Sequence, residues 1–546
     1  MSVEQIAPFI AGFFLFISFH FYPLRGDTAF LMCALLSCGF LFVLFLSATQ
    51  EDEVFITGAQ SISLCALVAL VMTVLFRLSP LHPLHSFPGP LLNRISSLPS
   101  AYTIYTGYRH LTINSYHEKY GDFVRTGPNT LSINSYAAVS AIYSSASAMD
   151  KSSAYDFGGM AGLGLFFTKE KKSHSQRRRQ WARAFTKESV NSYQPVLMRR
   201  TMELMDCIMS RKDSFSFIVN ISECINHWTY DIMGDIIFGR CNKYSMMLNG
   251  DPGGLIQTGN LAIMLFECLS EIPPLSHILW HLPVAKRMRI LEEYAGNRIV
   301  EFQKNHQTNF EKEFKPLASY FASIEDDLLP NSKDSKANIQ ADSLFAIQAG
   351  SDTPSGVAIL LVFLILSNKS AQDRLVDELD REFPPSHPSM PVHKLIKLPY
   401  LNAVIHEALR LGTPFGGFPR VVPTGGFVIN GKFVPGNTIV SIPTYTQEIL
   451  EQNFSPHPLL FRPERWLSNS AELGFKTNRN ALMSFSYGPY GCLGKELAWN
   501  QLLLFTARLF STYEVKFTSD FIPSVFMKGV KNLRAAVFDH DLKVVV

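Results

Sequence analysis

Three uncharged stretches near the N-terminus constrain the fold of this chain more than any other feature. They cover residues 6–24, 28–50 and 54–76. Each approaches or exceeds the roughly 20 residues that cross a bilayer as a helix. A cleaved signal peptide is an alternative for the first stretch, but no basic segment precedes it and two apolar stretches follow. Residues 1–78 are therefore predicted to form a membrane anchor with up to three transmembrane helices.

The few basic residues near these stretches indicate the orientation. Arg25 follows the first stretch and Arg77 follows the third, whereas residues 51–53 between the second and third are all acidic. Loops that carry Lys and Arg tend to stay in the cytosol. Three spans would therefore place everything after Arg77 on the cytosolic side of the membrane.

The segment after the third stretch predicts a stiff connection. Residues 78–90 contain four prolines, and each proline fixes its own φ angle and restrains the preceding residue. We predict a proline-rich hinge over residues 79–99 that leads into one large domain, residues 100–546.

Composition narrows what that domain can do. The formal net charge of +3 is close to neutral for 546 residues, so no nucleic-acid partner is expected, because such partners usually meet a strongly basic face. None of the eight cysteines forms a C-x-x-C pair. A zinc ribbon or a disulfide framework is therefore not expected.

The apolar patterning predicts a mainly α-helical domain with small peripheral β-sheets. Hairpins are indicated by alternating residues and turn signals, with Asn430-Gly431 at one of the turns, and helices by apolar residues at helical spacing. The hairpins are expected at 120–135 and 424–440, the helices within 186–240, 255–310 and 340–379, and a further β-like segment at 535–546.

The strongest chemical signal is a cysteine in a glycine-rich loop. Gly488 and Gly494 bracket Cys492, and an apolar helical stripe follows directly. A cysteine just before a helix N-terminus meets free N–H groups and the positive end of the helix dipole, which stabilise a thiolate. Taken alone, the segment also fits an ordinary buried cysteine in a turn.

The loop resembles the haem-binding pattern F-x-x-G-x-R-x-C-x-G of the cytochrome P450 family. The match lies at Phe485, Gly488, Cys492 and Gly494, with Tyr490 where the family usually has arginine. The resemblance implies that Cys492 is the axial thiolate ligand of the haem iron and that Phe485 packs beside the sulfur. It also implies a changed contact with the haem propionates, since Tyr490 offers one neutral hydrogen bond in place of a guanidinium.

A second segment resembles the family's buried charge network. Glu407 and Arg410 are three residues apart in LPYLNAVIHEALRL, and Arg465 lies in FRPERW. By the resemblance, the three residues form a structural network that supports the cysteine loop, where a lone buried charge would be costly. An isolated pair at this spacing would otherwise be an ordinary surface ion pair.

A third segment, AGSDT, interrupts an apolar helical run. Its Ala349, Gly350, Asp352 and Thr353 match the family pattern A/G-G-x-D/E-T, followed here by Pro354. The resemblance implies a kink that makes room for O2, with Thr353 holding the bound oxygen and water and Asp352 relaying protons. The alternative is a polar helix kink in which Thr353 bonds its own backbone.

The remaining cofactor contacts are also implied by the resemblance. His174 and Arg178 in HSQRRRQWARAF, and Arg420 in GGFPRVVP, are expected to hold the propionates. Arg177 and Arg179 are as readily explained as solvated surface charges.

The resemblance covers roughly residues 100–540 and implies a cytochrome P450-like fold and a monooxygenase. The cofactor would be haem b (iron protoporphyrin IX), and the partners O2, a membrane-bound NADPH-cytochrome P450 reductase and an apolar substrate, such as a secondary metabolite or a lipid-like compound. The endoplasmic reticulum is the expected membrane. Two alternatives stay open: a haem-thiolate isomerase or dehydratase that acts on a peroxide without a reductase, and a non-catalytic haem sensor or membrane scaffold.

Overall fold

Helices account for most of the residues that the structure describes, with small sheets at the periphery, which confirms the predicted fold class. The structure is a computed structural model. It describes residues 3–21, 33, 37, 51–144, 149–239, 245–305, 314–321, 333–384, 389–412 and 417–546.

Among the described residues, helices occur in all three predicted helical regions and also outside them. They are α1 Val3–Phe21, α2 Glu51–Leu78, α3 Leu91–Ile95, α4 Leu98–Tyr105, α5 Arg109–Tyr120, α6 Ala137–Tyr143, α7 Gly164–Phe167, α8 Lys171–Ala182, α9 Lys187–Ser192, α10 Gln194–Arg211, α11 Ile221–Phe238, α12 Met246–Asn249, α13 Leu255–Ser270, α14 Pro273–Trp280, α15 Lys286–Asn305, α16 Lys333–Leu366, α17 Lys369–Glu382, α18 Val392–Leu395, α19 Pro399–Leu411, α20 Thr444–Glu448, α21 Lys495–Thr512 and α22 Pro523–Lys528.

The strands are short and pair mostly antiparallel. They are β1 Phe123–Gly127, β2 Thr130–Ile133, β3 Asp150–Lys151, β4 Ile218–Asn220, β5 Arg420–Val421, β6 Phe427–Ile429, β7 Lys432–Val434, β8 Ile439–Ser441, β9 Phe454–Ser455, β10 Lys476–Thr477, β11 Lys516–Phe517, β12 Val530–Asn532, β13 Ala536–Phe538 and β14 Lys543–Val545. The largest sheet has the order β1-β2-β8-β5-β3, and the others are β11-β14-β4, β9-β10, β12-β13 and β6-β7.

Both predicted hairpins are confirmed. Strands β1 and β2 pair antiparallel, as do β6 and β7. The second hairpin turns at Asn430 and Gly431, whose φ angles of 46° and 76° are both positive. That is the conformation for which Asn-Gly is favoured in a two-residue hairpin loop.

The predicted helical stretch 340–379 is helical in the structure, divided between two helices. Helix α16 ends at Leu366, and Asn368 then caps α17 by accepting a hydrogen bond from the Ala371 N–H at 3.1 Å. Asparagine is a favoured N-cap because its side-chain oxygen satisfies an amide that has no partner within the helix.

Helix α16 is the centre of the fold. Its segment Lys336–Leu366 is long and apolar enough to cross a bilayer. However, 72% of the most apolar 18 residues of this segment are buried inside the protein. Helix α11 packs closely on it, because a Cβ atom on Gly350 would lie 2.5 Å from the Met233 side chain. A side chain at position 350 would therefore displace the end of the Met233 side chain.

The N-terminal region contains two helices that pack together. In α1 and α2, the rings of Phe16 and Phe76 are 6.0 Å apart, and Gly12 allows close approach to the Cys65 carbonyl. Among the described residues, Gly58–Leu78 is the exposed segment that could span a bilayer, whereas the apolar part of α1, Pro8–Ser18, is shorter. The expected span at 28–50 lies almost wholly outside the described residues.

The proline-rich segment 79–99 is attached to the large domain by several contacts. Leu84 and Phe87 are buried in one cluster with Phe123. The amide of Arg125 donates to the Pro88 carbonyl at 2.7 Å, and its guanidinium contacts His82 at 3.2 Å. These contacts tie the segment to strand β1.

Glu407, Arg410 and Arg465 form a fully buried charge network. The Glu407 carboxylate accepts bonds of 2.8 and 2.7 Å from Arg410, 2.9 Å from Arg465 and 2.8 Å from the Trp466 indole. Burial lowers the pKa of Arg465, and the Glu407 charge opposes this effect. The carboxylate thus joins helix α19 to the turn at Pro463–Trp466.

We predict that Glu407→Ala lowers the free energy of unfolding by about 3–5 kcal/mol, because it leaves two buried guanidinium groups without a counter-charge. Urea unfolding of the detergent-solubilised protein, followed by circular dichroism, measures the change. The exposed Glu472 supplies the control, Glu472→Ala. Equal losses in the two variants would contradict a supporting role for the network.

Candidate active site

A cavity of about 260 Å³ lies between helix α16 and the cysteine loop. It gathers residues from every motif except the Glu407 network. The residues singled out from the sequence that line it are His174, Arg178, Ala349, Gly350, Thr353, Pro354, Arg420, Phe485, Tyr490, Cys492 and Gly494. Gly488 shapes the loop from outside the cavity, and Asp352 borders a second cavity described below.

The cysteine loop is held by its own backbone. The amide of Cys492 donates to the Phe485 carbonyl at 2.9 Å, which closes the loop. Gly488 has a φ of +65°, and a Cβ atom there would lie 1.9 Å from the Tyr143 carbonyl oxygen. Only glycine fits such a site. Gly494 then occupies the N-cap of α21, so Cys492 lies just before a helix as predicted.

The Cys492 side chain faces the cavity and is accessible there. The thiol still lies deep within the protein, and this burial raises its pKa. The Gly494 amide and the charges of Arg178 and Lys495 lower the pKa, but by less. The helix N-terminus alone therefore does not make Cys492 a thiolate. A coordinated metal ion would do so, because it deprotonates a thiol ligand outright.

One rim of the cavity carries an unusual concentration of positive charge. Lys151, Arg178 and Arg420 all line it, and no Asp or Glu is among the lining residues. Within the described part of the chain, none of these three side chains forms an ion pair with a carboxylate, and the Nε atom of Arg420 has no hydrogen-bond partner. Burial, followed by Arg420 and other nearby cations, lowers the pKa of Lys151 well below its ordinary value. An anion bound at the rim would oppose this shift and keep the Lys151 ammonium group protonated.

His174 differs from these cations because it is neutral. Burial, followed by Lys151, Arg178 and Arg420, lowers the pKa of His174 to about 2. It can therefore donate a hydrogen bond but adds no charge at physiological pH. Its ring lies 4.5 Å from the ring of Tyr490.

Tyr490 lies in the middle of the charged rim. The Arg420 guanidinium is 4.5 Å from the centre of its ring and the Lys151 ammonium is 5.5 Å away. Burial and the Asp150 carboxylate raise the pKa of Tyr490 to about 12, so the phenol stays protonated. Tyr490 thus contributes an aromatic face to two cations.

Sequence reasoning missed Lys151, Tyr155 and Arg534 as lining residues. Lys151 belongs to the two-residue strand β3, which leaves no periodic signal. Arg534 pairs with Glu267 and lies 4.6 Å from the Phe266 ring. Lys151 and Arg534 are brought to the cavity by contacts with distant parts of the chain, and local sequence patterns do not reveal such contacts.

The opposite wall is formed by α16, which continues as a helix through Pro354. The Thr353 hydroxyl donates to the Ala349 carbonyl at 2.6 Å, as in the backbone-bonding alternative. Thr353 and Ala349 also line a second, mostly apolar cavity of about 110 Å³. Thr353 is therefore shared by the two cavities.

Asp352 borders only the second of these two cavities. One of its carboxylate oxygens accepts a 2.9 Å bond from the Tyr230 hydroxyl, while the other is buried without a partner among the described residues. Burial raises the pKa of Asp352 to about 7, against the effect of the Tyr230 bond. Asp352 can thus gain or lose a proton near neutral pH.

The sequence profile of the Cytochrome P450 family matches residues 88–533, and the chain belongs to this family. It is 29% identical to cytochrome P450 monooxygenase AKT7 of Alternaria alternata, with 79% of this chain and 84% of the relative covered. Cytochrome P450 monooxygenase phqL of Penicillium fellutanum is 31% identical, with 79% and 74% covered. Tryprostatin B 6-hydroxylase of Neosartorya fischeri is 28% identical, with 79% and 76% covered. The chain is thus a monooxygenase of a haem-dependent family.

The residues of the larger cavity fit a haem group. Apolar side chains such as Phe485 and Leu493 offer surface to a flat macrocycle, and Cys492 offers a sulfur ligand. The uncompensated charges of Arg178 and Arg420 suit the two propionates. A buried cluster of like charges is unfavourable without an anion, so an acidic group of a ligand at this rim would be stabilising.

The pKa of Asp352 leads to a testable pH dependence of stability. Its folded value of about 7 lies above the ordinary 3.8, so the folded state binds the proton more tightly and stability falls as the pH rises from about 4 to 7. Asp352→Asn removes this titration. We expect its thermal midpoint, relative to the parent, to rise between pH 5 and pH 8 by the equivalent of roughly 3 kcal/mol.

The exposed Asp380 provides a control, because Asp380→Asn should leave the difference from the parent the same at both pH values. A difference for Asp352→Asn that does not change with pH would show that Asp352 is ionised at pH 5 in the folded protein.

Proposed function

We propose that this chain binds haem b through Cys492 and inserts one oxygen atom of O2 into an apolar small molecule. The observation that carries the proposal is the placement of Cys492 in a cavity between a cationic rim and the wall that contains Thr353. Bound haem would supply a redox-active iron at which O2 is activated. Phe485 would pack beside the sulfur, and His174, Arg178 and Arg420 would hold the propionates.

The residues of α16 would control protons and oxygen on the other side of the cavity. The Thr353 hydroxyl donates to the Ala349 carbonyl, which leaves its oxygen lone pairs to accept from water or substrate. Asp352, with a pKa near 7, would hold a proton at its unpartnered oxygen and release it near neutral pH. This acid–alcohol pair favours O2-dependent monooxygenation over isomerisation or dehydration of a peroxide.

The second cavity supports an apolar substrate. It shares Ala349 and Thr353 with the larger cavity, so a compound bound there would adjoin the oxygen-binding wall. Its aromatic lining residues are Phe157, Phe166, Phe167, Phe266 and Phe345. Such a surface suits an aromatic or terpenoid group better than a sugar or a charged metabolite. We infer a secondary metabolite or a lipid-like compound as the substrate.

The same proposal includes a membrane and an electron donor. The exposed apolar segment Gly58–Leu78 would anchor the chain, with residues 1–78 as the anchor, 79–99 as the connection and 100–546 as the catalytic domain. Arg77 at the end of α2 favours a cytosolic catalytic domain at the endoplasmic reticulum. There it would receive electrons from NADPH through a membrane-bound reductase.

The experiment that tests this function is the spectrum of the reduced, CO-treated protein in membranes. The parent should show the red-shifted Soret band of a thiolate-ligated haem, and Cys492→Ala should lose it because no sulfur remains to bind the iron. Turnover of apolar compounds by the parent should then require NADPH and a reductase.

Cys268→Ala serves as the matched control and should keep the band, since Cys268 lies on α13 and is not among the lining residues of either cavity. A haem-loaded parent with the band of a histidine-ligated haem would refute Cys492 as the ligand. A thiolate band with turnover of peroxides and no need for NADPH would favour the isomerase or dehydratase.

A further inference from the structure

We propose that Lys151 binds a haem propionate in this chain and thereby replaces the arginine whose place Tyr490 occupies. The ring of Tyr490 positions Lys151 and Arg420 on either side of the propionate site. This inference rests on the proposed function, because it requires haem in the larger cavity. In this proposal, the propionate-binding role of an arginine at position 490 is taken over by Lys151, which is far from it in the sequence.

The first observation is the pairing of two buried cations. In the antiparallel pair of β3 and β5, Lys151 lies directly opposite Arg420. Both side chains are buried, with 6% and 1% of their surface exposed. Like charges directly opposite each other destabilise a sheet, and buried lysines are rare unless they are paired. An anion between them would turn this unfavourable arrangement into a binding site.

The second observation is the fixed position of the lysine. Its ammonium group donates to the carbonyls of Leu165 at 3.0 Å and Phe166 at 2.7 Å. An ammonium group has three donors, so one remains for a ligand in the cavity that Lys151 lines. Two neutral carbonyls hold the group in place but do not neutralise its charge.

The carboxylates that act on Lys151 and on the neighbouring Arg534 are already engaged in ion pairs. Asp342, which acts on the pKa of Lys151, lies 3.5 Å from the Arg177 guanidinium. Glu267 pairs with Arg109 at 2.7 Å and with Arg534. The protein thus supplies no separate carboxylate for Lys151 within its described residues. A haem propionate would supply the missing negative charge.

The third observation explains why position 490 is not an arginine. The Lys151 ammonium and the Arg420 guanidinium both lie near the Tyr490 ring, at 5.5 and 4.5 Å from its centre. An aromatic face attracts both cations. An arginine in the same place would add a further positive charge beside Lys151, Arg420 and Arg178, with the same number of propionates to balance it.

The test is a double-mutant cycle between Lys151 and Tyr490, read out by the rate of haem transfer to excess apomyoglobin. We expect Lys151→Met to release haem about tenfold faster or more, because a charge-assisted hydrogen bond is lost. Tyr490→Arg alone should also release haem faster. The double variant Lys151→Met/Tyr490→Arg should recover a rate within about threefold of the parent, since one buried cation then replaces the other.

A second readout separates charge from simple disruption of the fold. Loss of a cation beside the haem disfavours the more negative, reduced form, so the midpoint potential of Lys151→Met should move in the negative direction. The double variant should return towards the parent. Lys151→Arg keeps the charge and should retain both the haem and the potential, even if Lys151→Met folds poorly.

The exposed Lys187 provides the control, and Lys187→Met should match the parent in both measurements. Parent-like haem release and potential in Lys151→Met, or losses that simply add in the double variant, would overturn the exchange. Either result would leave the thiolate Soret band of the parent intact. Absence of that band in the parent would instead refute the proposed function.

Discussion

The arrangement of the site depends on one buried carboxylate. Glu407 is fully buried between the guanidinium groups of Arg410 and Arg465. A charge in such a place is tolerated only when nearly all of its hydrogen-bonding capacity is used. Here it fixes α19 against the turn at Pro463–Trp466. Arg410 also donates to the main-chain carbonyl of Glu448 at 2.6 Å, and the Glu448 side chain accepts from the amide at position 483, just before the cysteine loop.

A second cluster of buried charges has the opposite property. Lys151, Arg178 and Arg420 lie at the cavity rim without a carboxylate among the lining residues. The Glu407 cluster is complete in the protein alone, and so it can support the fold before any cofactor binds. The rim is complete only with an anion. Folding and the proposed cofactor binding would therefore be served by separate charge clusters, and haem binding would remove an electrostatic cost that the protein carries alone.

The sequence revealed those parts of the site that lie within one local motif. The loop around Cys492, its following helix and the Asn430-Gly431 hairpin could all be predicted, because glycines and apolar spacing determine them locally. Lys151 could not, because it faces Arg420 only through the pairing of two short strands. The apolar pattern continues across the boundary between α16 and α17, so it does not locate this boundary, although Asn368 carries a capping signal.

Helical geometry explains why neighbouring residues of one motif serve different surfaces. Ala349 and Thr353 are four residues apart and share a face of α16, so both line the two cavities. Asp352 lies about 100° away from Thr353 around the helix and meets Tyr230 on α11. The Thr353 hydroxyl donates its hydrogen bond to the Ala349 carbonyl, so towards other groups it can act only as an acceptor. A proton needed at this wall must therefore come from another donor, and Asp352, with its pKa near 7, can hold one beside the second cavity.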